Sequence, residues 1–188
     1  MSEDSLTVAS AAQMRALGRS LATVLRAGDL VILSGGLGAG KTTLTQGIGD
    51  GLGVRGPITS PTFVIARVHP PVTSVMAAVT DEPGPPLVHA DAYRLGSVLE
   101  LDDLDLDTDT AASVTVVEWG EGLAEGLSAD RLEITITPGP ANASVISGNE
   151  GGDPDDPTGD VPRTVRISAV GKRWEGIKLP LANHADRL

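Results

Sequence analysis

The pattern of apolar and polar positions divides the chain into segments of distinct period. In "SAAQMRALGRSLATVLRAGD", Met14, Leu17, Leu21, Val24 and Leu25 recur at helical spacing and give one apolar helix face. Ser10 is placed to cap the start of this helix and Gly28 to end it. "DLVILS" is short and continuously apolar, the pattern of a parallel strand covered on both faces. A glycine-rich loop follows, then a helix from about Thr42 to Leu52 closed by Gly53. "GPITSPTFVIARV" predicts a loop and a strand, and "LVHADAYRL" a strand running into a polar turn. "SVLELDDLDLD" predicts a short helix, and "SVTVVEWGEGL" a buried strand ending in an acid. "RLEITIT" and "RTVRISAV" switch to apolar and polar alternation, which suits antiparallel strands with one wet face. Strands alternating with helices, closed by an antiparallel pair, predict an α/β fold: a three-layer sandwich with a mainly parallel central sheet and antiparallel C-terminal strands.

Two stretches interrupt this order. Residues 69–86 hold five prolines and read as a mobile excursion. Residues 138–162, "PGPANASVISGNEGGDPDDPTGDVP", are rich in Gly, Pro and Asp and read as a disordered loop. The strands on either side of it match as hairpin partners, so the reading is one domain over 1–188, with flexible segments at 69–86 and 138–162. The length of 188 residues suits one domain with a sizeable core.

Composition narrows the function classes. A net charge of −11 leaves no basic footprint for nucleic acid. Aromatics are 2% of the chain, too few for a base-stacking platform. The absence of cysteine excludes a disulfide framework, a thiolate zinc site and a cysteine nucleophile. No apolar stretch approaches the roughly 20 residues that span a bilayer. "MSEDSLTVAS" lacks the basic and apolar regions of a signal peptide, so the expected location is cytoplasmic, with no membrane partner.

The strongest chemical signal is "LSGGLGAGKTTL". Gly35-x4-Gly40-Lys41-Thr42 matches the P-loop pattern, between a buried strand and a helix as that pattern requires. In such a loop the backbone N–H groups converge on phosphate oxygens, and the helix N-terminus adds its dipole. Gly35, Gly38, Ala39, Gly40, Lys41, Thr42 and Thr43 form the expected nucleotide cradle. Lys41 is expected to bridge the β- and γ-phosphates, and the Thr42 hydroxyl to ligate Mg²⁺. A P-loop needs a further acid for its metal. Asp91 and Glu118 each end an apolar strand, where a parallel sheet would bring both to the carboxyl edge beside the loop.

Other signals read as bland. Glu100 to Asp109 holds six acids, but a calcium loop beginning at Asp103 would need Gly at 108 and Glu at 114, where Thr108 and Val114 stand. It reads as a solvated or partner-facing surface. His69, His89 and His184 are scattered and suggest no metal cluster; His89 reads as a packed core residue. Strand alternation turns Trp119 to the face opposite Glu118, which leaves core packing and a place beside the nucleotide equally open.

"SGGLGAGKTTL", "TSPTFV", "DAYRL" and "VVEWGEGL", in this order, resemble the bacterial tRNA threonylcarbamoyladenosine biosynthesis ATPase family, TsaE. The resemblance covers about residues 10–136 and implies a P-loop NTPase-like fold. It implies slow hydrolysis of ATP to ADP with Mg²⁺. It also implies work with two partner proteins that transfer a threonylcarbamoyl group to the adenosine beside the anticodon of ANN-reading tRNAs. Contact with tRNA would then be indirect, in keeping with the acidic surface. By this resemblance Lys41, Asp91 and Glu118 are the catalytic residues, and Thr42 and Glu118 the metal residues. Ser60, Thr62, Tyr93, Arg94 and Trp119 lie in switch-like segments, and Arg163 matches a late arginine near the nucleotide. The chain departs from the family at Gly36, where Asp is usual, and at Ala92, where Leu is usual.

Two rival functions remain at this level. One is a nucleotide-dependent interaction switch with little hydrolysis, in which ATP orders the segments around Thr62 and Asp91. The other is a small-molecule kinase, for which 138–162 would be the lid. That stretch carries four Asp, one Glu and no basic residue, against the usual basic lid. A GTPase is disfavoured because no Asn-Lys-x-Asp motif occurs.

Overall fold

A computed structural model describes residues 2–61, 66–72, 84–93, 110–139 and 161–181. The continuously apolar run becomes β2 (Leu30–Gly35), with β5 (Val114–Glu118) parallel on one side and β6 (Arg131–Pro138) parallel on the other. Beyond β5 lie β4 (Leu87–Asp91), parallel to it, and β3 (Ala66–His69), antiparallel to β4. Beyond β6 lie β7 (Arg163–Val170) and β1 (Ser2–Val8), both antiparallel to their neighbours. The sheet order is β1-β7-β6-β2-β5-β4-β3. β4 and β5 are buried along their whole length and β2 over residues 30–34, as a covered parallel sheet requires. β6 and β7 alternate buried and partly exposed positions, as one-sided strands do.

Two helices, α1 (Ala11–Ala22) and α2 (Lys41–Leu52), pack together over one face of the sheet. Met14, Leu17 and Leu21 of α1 and Leu44 and Ile48 of α2 meet Val31, Leu33, Val114, Val116, Leu132 and Ile134 there. The helices touch backbone to backbone. A Cβ on Gly18 would fall on the Leu44 carbonyl, and one on Gly47 on the Arg15 carbonyl. Among the described residues, the other face is covered by the segment after β5, whose Ala124, Leu123 and Leu127 pack on Leu30, Ile32, Val88, Ala90, Ala92 and Val117. The α/β class and the antiparallel C-terminal pair are as the sequence predicts.

Three local expectations change. Ser10 caps α1, but the helix ends at Ala22, not Gly28. The Asp29 carboxylate accepts the Arg26 N–H, a group that a continued helix would use, and the Thr23 hydroxyl donates to the Ser20 carbonyl. Gly28 instead carries a left-handed turn into β2. β1 is an edge strand that the sequence reading did not predict. His69 belongs to β3 and Pro138 to β6, so these residues lie in strands, not in the excursions assigned to 69–86 and 138–162. The interiors of those two segments and the acidic run 100–109 lie outside the described residues.

Candidate nucleotide-binding site

The parallel strands β2, β4 and β5 end together, and the chemistry collects at that edge. β2 runs into the loop 35–40, and Gly40 caps α2 in a left-handed conformation. Gly35 must also be glycine: its φ is +148°, and a Cβ there would lie 2.5 Å from the Ile136 carbonyl oxygen. Leu37 stands at the loop tip, 97% exposed. The loop therefore presents bare backbone ahead of a helix N-terminus, the arrangement that binds phosphate.

Lys41 is buried, and its Nζ donates to the carbonyls of Gly35 and Gly36 at 2.9 Å each. Burial pushes its pKa below the ordinary lysine value, against the opposing pull of the Glu118 and Asp91 carboxylates. The Thr42 hydroxyl donates to Glu118 Oε1 at 2.9 Å. Thr43 follows in the first turn of α2, half-buried.

Asp91 and Glu118 face each other in register at the ends of β4 and β5, and both are buried. Asp91 Oδ1 accepts the Tyr93 N–H at 2.9 Å, and Oδ2 accepts the Ser60 hydroxyl at 3.4 Å. The Lys41 ammonium thus lies within electrostatic reach of both carboxylates. The oxygens of Thr42 and Glu118 are hard donors of the kind Mg²⁺ prefers. Oxygen donors beside a phosphate cradle fit that ion.

Trp119 overturns the alternation argument. Its φ is +59°, so the strand ends before it and the ring turns to the Glu118 side. The Lys41 ammonium lies 3.8 Å from the centre of the Trp119 ring, and the ring of exposed Tyr93 packs against it with centroids 5.2 Å apart. This is a cation–π contact with an aromatic neighbour behind it. The left-handed backbone carries no signature in a sequence of this kind, so periodicity alone misplaces the residue.

Arg163, at the start of β7, is buried against the loop, with its Cδ and Nε each 3.8 Å from where a Gly40 Cβ would lie. Its Nη1 donates to the Val161 carbonyl. Arg163, Pro138 and Val161 line a cavity of about 200 Å³ with Gly36, Leu37, Gly38 and Ala39. Thr62 and Arg94 lie outside the described residues.

Sequence reasoning undervalued His89. It is fully buried, and its Nε2 donates to Glu118 Oε1 at 2.8 Å. Alternation along β4 puts His89 and Asp91 on one face, and that spacing was the available signal. Burial lowers the His69 pKa, with a smaller push from nearby His89, so these two histidines are neighbours in the fold. Among the described residues, no group of three or more His, Cys, Asp and Glu side chains could hold a metal alone. Among them, too, no helix is long and apolar enough to cross a membrane.

Known proteins resemble this chain over most of its length. Residues 8–144 match the family model for the threonylcarbamoyl adenosine biosynthesis protein TsaE. The chain is 55% identical over 162 residues to a Streptomyces coelicolor protein named tRNA threonylcarbamoyladenosine biosynthesis protein TsaE, covering 86% of this chain and 93% of that one. It is 31% identical over 173 residues to the Bacillus subtilis protein of the same name, covering 92% and 89%. The crystal structure of Bacillus subtilis YdiB superposes with a TM-score of 0.61 at 26% identity, covering 93% of this chain and 90% of the other. The loop, the two strand-end carboxylates and these matches place the chain in the TsaE family of threonylcarbamoyl adenosine biosynthesis proteins.

Proposed function

We propose that this chain is an Mg²⁺-dependent ATPase that supports threonylcarbamoyl transfer to the adenosine beside the anticodon of ANN-reading tRNAs. It would act in a complex with two partner proteins that hold the tRNA. The observation that carries this reading is the convergence of Lys41 and Thr42 on the carboxylates of Asp91 and Glu118 at the end of a P-loop strand.

The loop N–H groups and the α2 N-terminus would hold the phosphates of ATP. Lys41 would exchange its two loop carbonyls for β- and γ-phosphate oxygens. Thr42 and Glu118 would hold Mg²⁺, which supplies charge neutralisation across the phosphates. Asp91, fixed by the Tyr93 N–H and the Ser60 hydroxyl, would orient the attacking water. Arg163 borders the loop where further phosphate or ribose contact is expected. The residues act by positioning and electrostatics.

Phosphate release by wild type, Lys41→Ala and Glu118→Ala tests this. Each variant should lose about 10²- to 10³-fold in rate, the scale for removing one preorganised electrostatic contact. Wild-type rates in both would refute the assignment.

The Ser60–Asp91 bond and the Tyr93–Trp119–Lys41 stack favour a second reading, an interaction switch. They tie both switch-like segments to groups that a γ-phosphate would disturb. Partner capture with ATP, with ADP and without nucleotide discriminates. Equal capture in all three states speaks against a switch.

A further inference from the structure

His89 is an expensive residue for its place. It is fully buried on β4, on the sheet face that carries Leu87, Val114 and Val116. Its Nδ1 is buried without a hydrogen-bond partner among the described residues. An apolar side chain would avoid that desolvation. What the ring gains is one contact: Nε2–H to Glu118 Oε1 at 2.8 Å. A carboxylate only accepts, so Nε2 carries the proton. The same oxygen accepts the Thr42 hydroxyl at 2.9 Å. Oε1 is therefore held from β4 on one side and from α2 on the other.

We infer that His89 is a positioning residue for Glu118, fixing its carboxylate so that it meets the divalent cation in one orientation. The inference rests on the proposed metal role of Glu118. The Thr42 hydroxyl has its own expected role at the ion, whereas the buried His89 N–H has no rival partner among the described residues. It is the contact that persists when the site fills. Hydrogen-bonded partners behind a ligand orient it in this way, and losing one typically costs about 10- to 100-fold in metal affinity.

The test uses the full chain with Mn²⁺ as the probe, followed by electron paramagnetic resonance in the presence of ADP. ADP affinity in EDTA is measured alongside. His89→Leu should weaken Mn²⁺ binding about 10- to 100-fold while ADP affinity in EDTA stays within twofold. His89→Gln, whose amide can reach as Nε2 does, should recover most of the loss. His89→Asn, too short to reach, should not. In a Glu118→Gln background, His89→Leu should have no further effect. Wild-type Mn²⁺ affinity in His89→Leu, or an equal loss in the Glu118→Gln background, overturns the inference. Should His89→Leu fail to fold, the Gln and Asn pair decides, and equal Mn²⁺ affinity in those two overturns it. Absence of Mn²⁺–ADP binding in the wild type overturns the metal reading itself, and the inference with it.

Discussion

Two buried polar clusters sit at opposite ends of the same parallel strands, and they are built differently. Just before β2, Asp29 is gripped by Arg173, with Nε to Oδ1 at 3.1 Å and Nη2 to Oδ2 at 3.0 Å. The guanidinium also reaches the Val24 carbonyl, and the carboxylate takes the Arg26 N–H. Opposite charges are matched one to one, and the bidentate geometry is the strong one. At the far end, Lys41 lies among two carboxylates, and its ammonium bonds to loop carbonyls instead. Behind them His89 Nδ1 has no hydrogen-bond partner among the described residues. The first cluster is complete as it stands. The second gathers two carboxylates, an ammonium and a bare backbone loop, groups that a phosphate and its cation can engage.

The comparison breaks most visibly at Arg173. Arg173→Met leaves Asp29 buried without its partner and should cost about 3–5 kcal/mol of stability in urea unfolding. Phosphate release per folded molecule should not change. Adding Asp29→Leu should recover most of that stability, because an apolar pair can replace a buried ion pair. The site cluster should answer in the opposite way. Glu118→Gln removes the charge but keeps an oxygen that can accept from His89 and Thr42, so stability should stay within about 1 kcal/mol of wild type, the centre of the range for single substitutions. Phosphate release should fall sharply. A large stability loss in Glu118→Gln would show that both clusters serve the fold.

A smaller effect comes from His69, beside His89. Burial pushes its pKa below the ordinary histidine value, helped by His89 and Arg67 and opposed by a bond to the Arg55 backbone. Its Nε2 has no partner among the described residues. The unfolded chain therefore takes up a proton at a higher pH than the folded one. Stability should be flat above about pH 6.5 and fall as pH drops below that value, until the folded pKa is reached. The midpoint of thermal unfolding measured from pH 8 to 5 should show this slope, and His69→Gln should flatten it.

What the sequence made legible follows from how local each cause is. The P-loop, the caps at Ser10 and Gly53, and the strand-end acids depend on near neighbours and a fixed period, and the structure shows all of them. The Arg173–Asp29 pair joins residues 144 positions apart, and the His89–Glu118 bond joins residues 29 apart on neighbouring strands. Neither has a spacing to search for. Periodicity leaves Trp119 open because a single left-handed residue ends the alternation. β1 was missed because its one firmly buried apolar residue is Val8, too little alternation for a strand to announce itself.

The smallest expected effect lies within the phosphate loop, between two adjacent glycines. Gly35 is forced: its backbone is left-handed in sign, and a Cβ would strike the Ile136 carbonyl. Gly36 is not, since a Cβ there meets nothing within 4 Å and its φ lies outside the region that L residues avoid. Gly36→Ala should therefore stabilise the chain by about 0.4–1 kcal/mol, by restricting the unfolded state. Gly35→Ala should destabilise it by more than that. Gly36→Asp, the residue usual in the family that the loop resembles, should match Gly36→Ala in stability within about 0.5 kcal/mol, as exposed positions do. Any difference in ATP affinity between the Ala and Asp variants then measures the added carboxylate alone, because the two share one backbone effect. Lys41 already donates to the Gly36 carbonyl, so a negative charge at that position would favour the lysine's resting place and oppose its transfer to the phosphates. ATP binding by Gly36→Asp should therefore be weaker than by Gly36→Ala, and tighter binding would show that the loop carboxylate acts through some group other than Lys41.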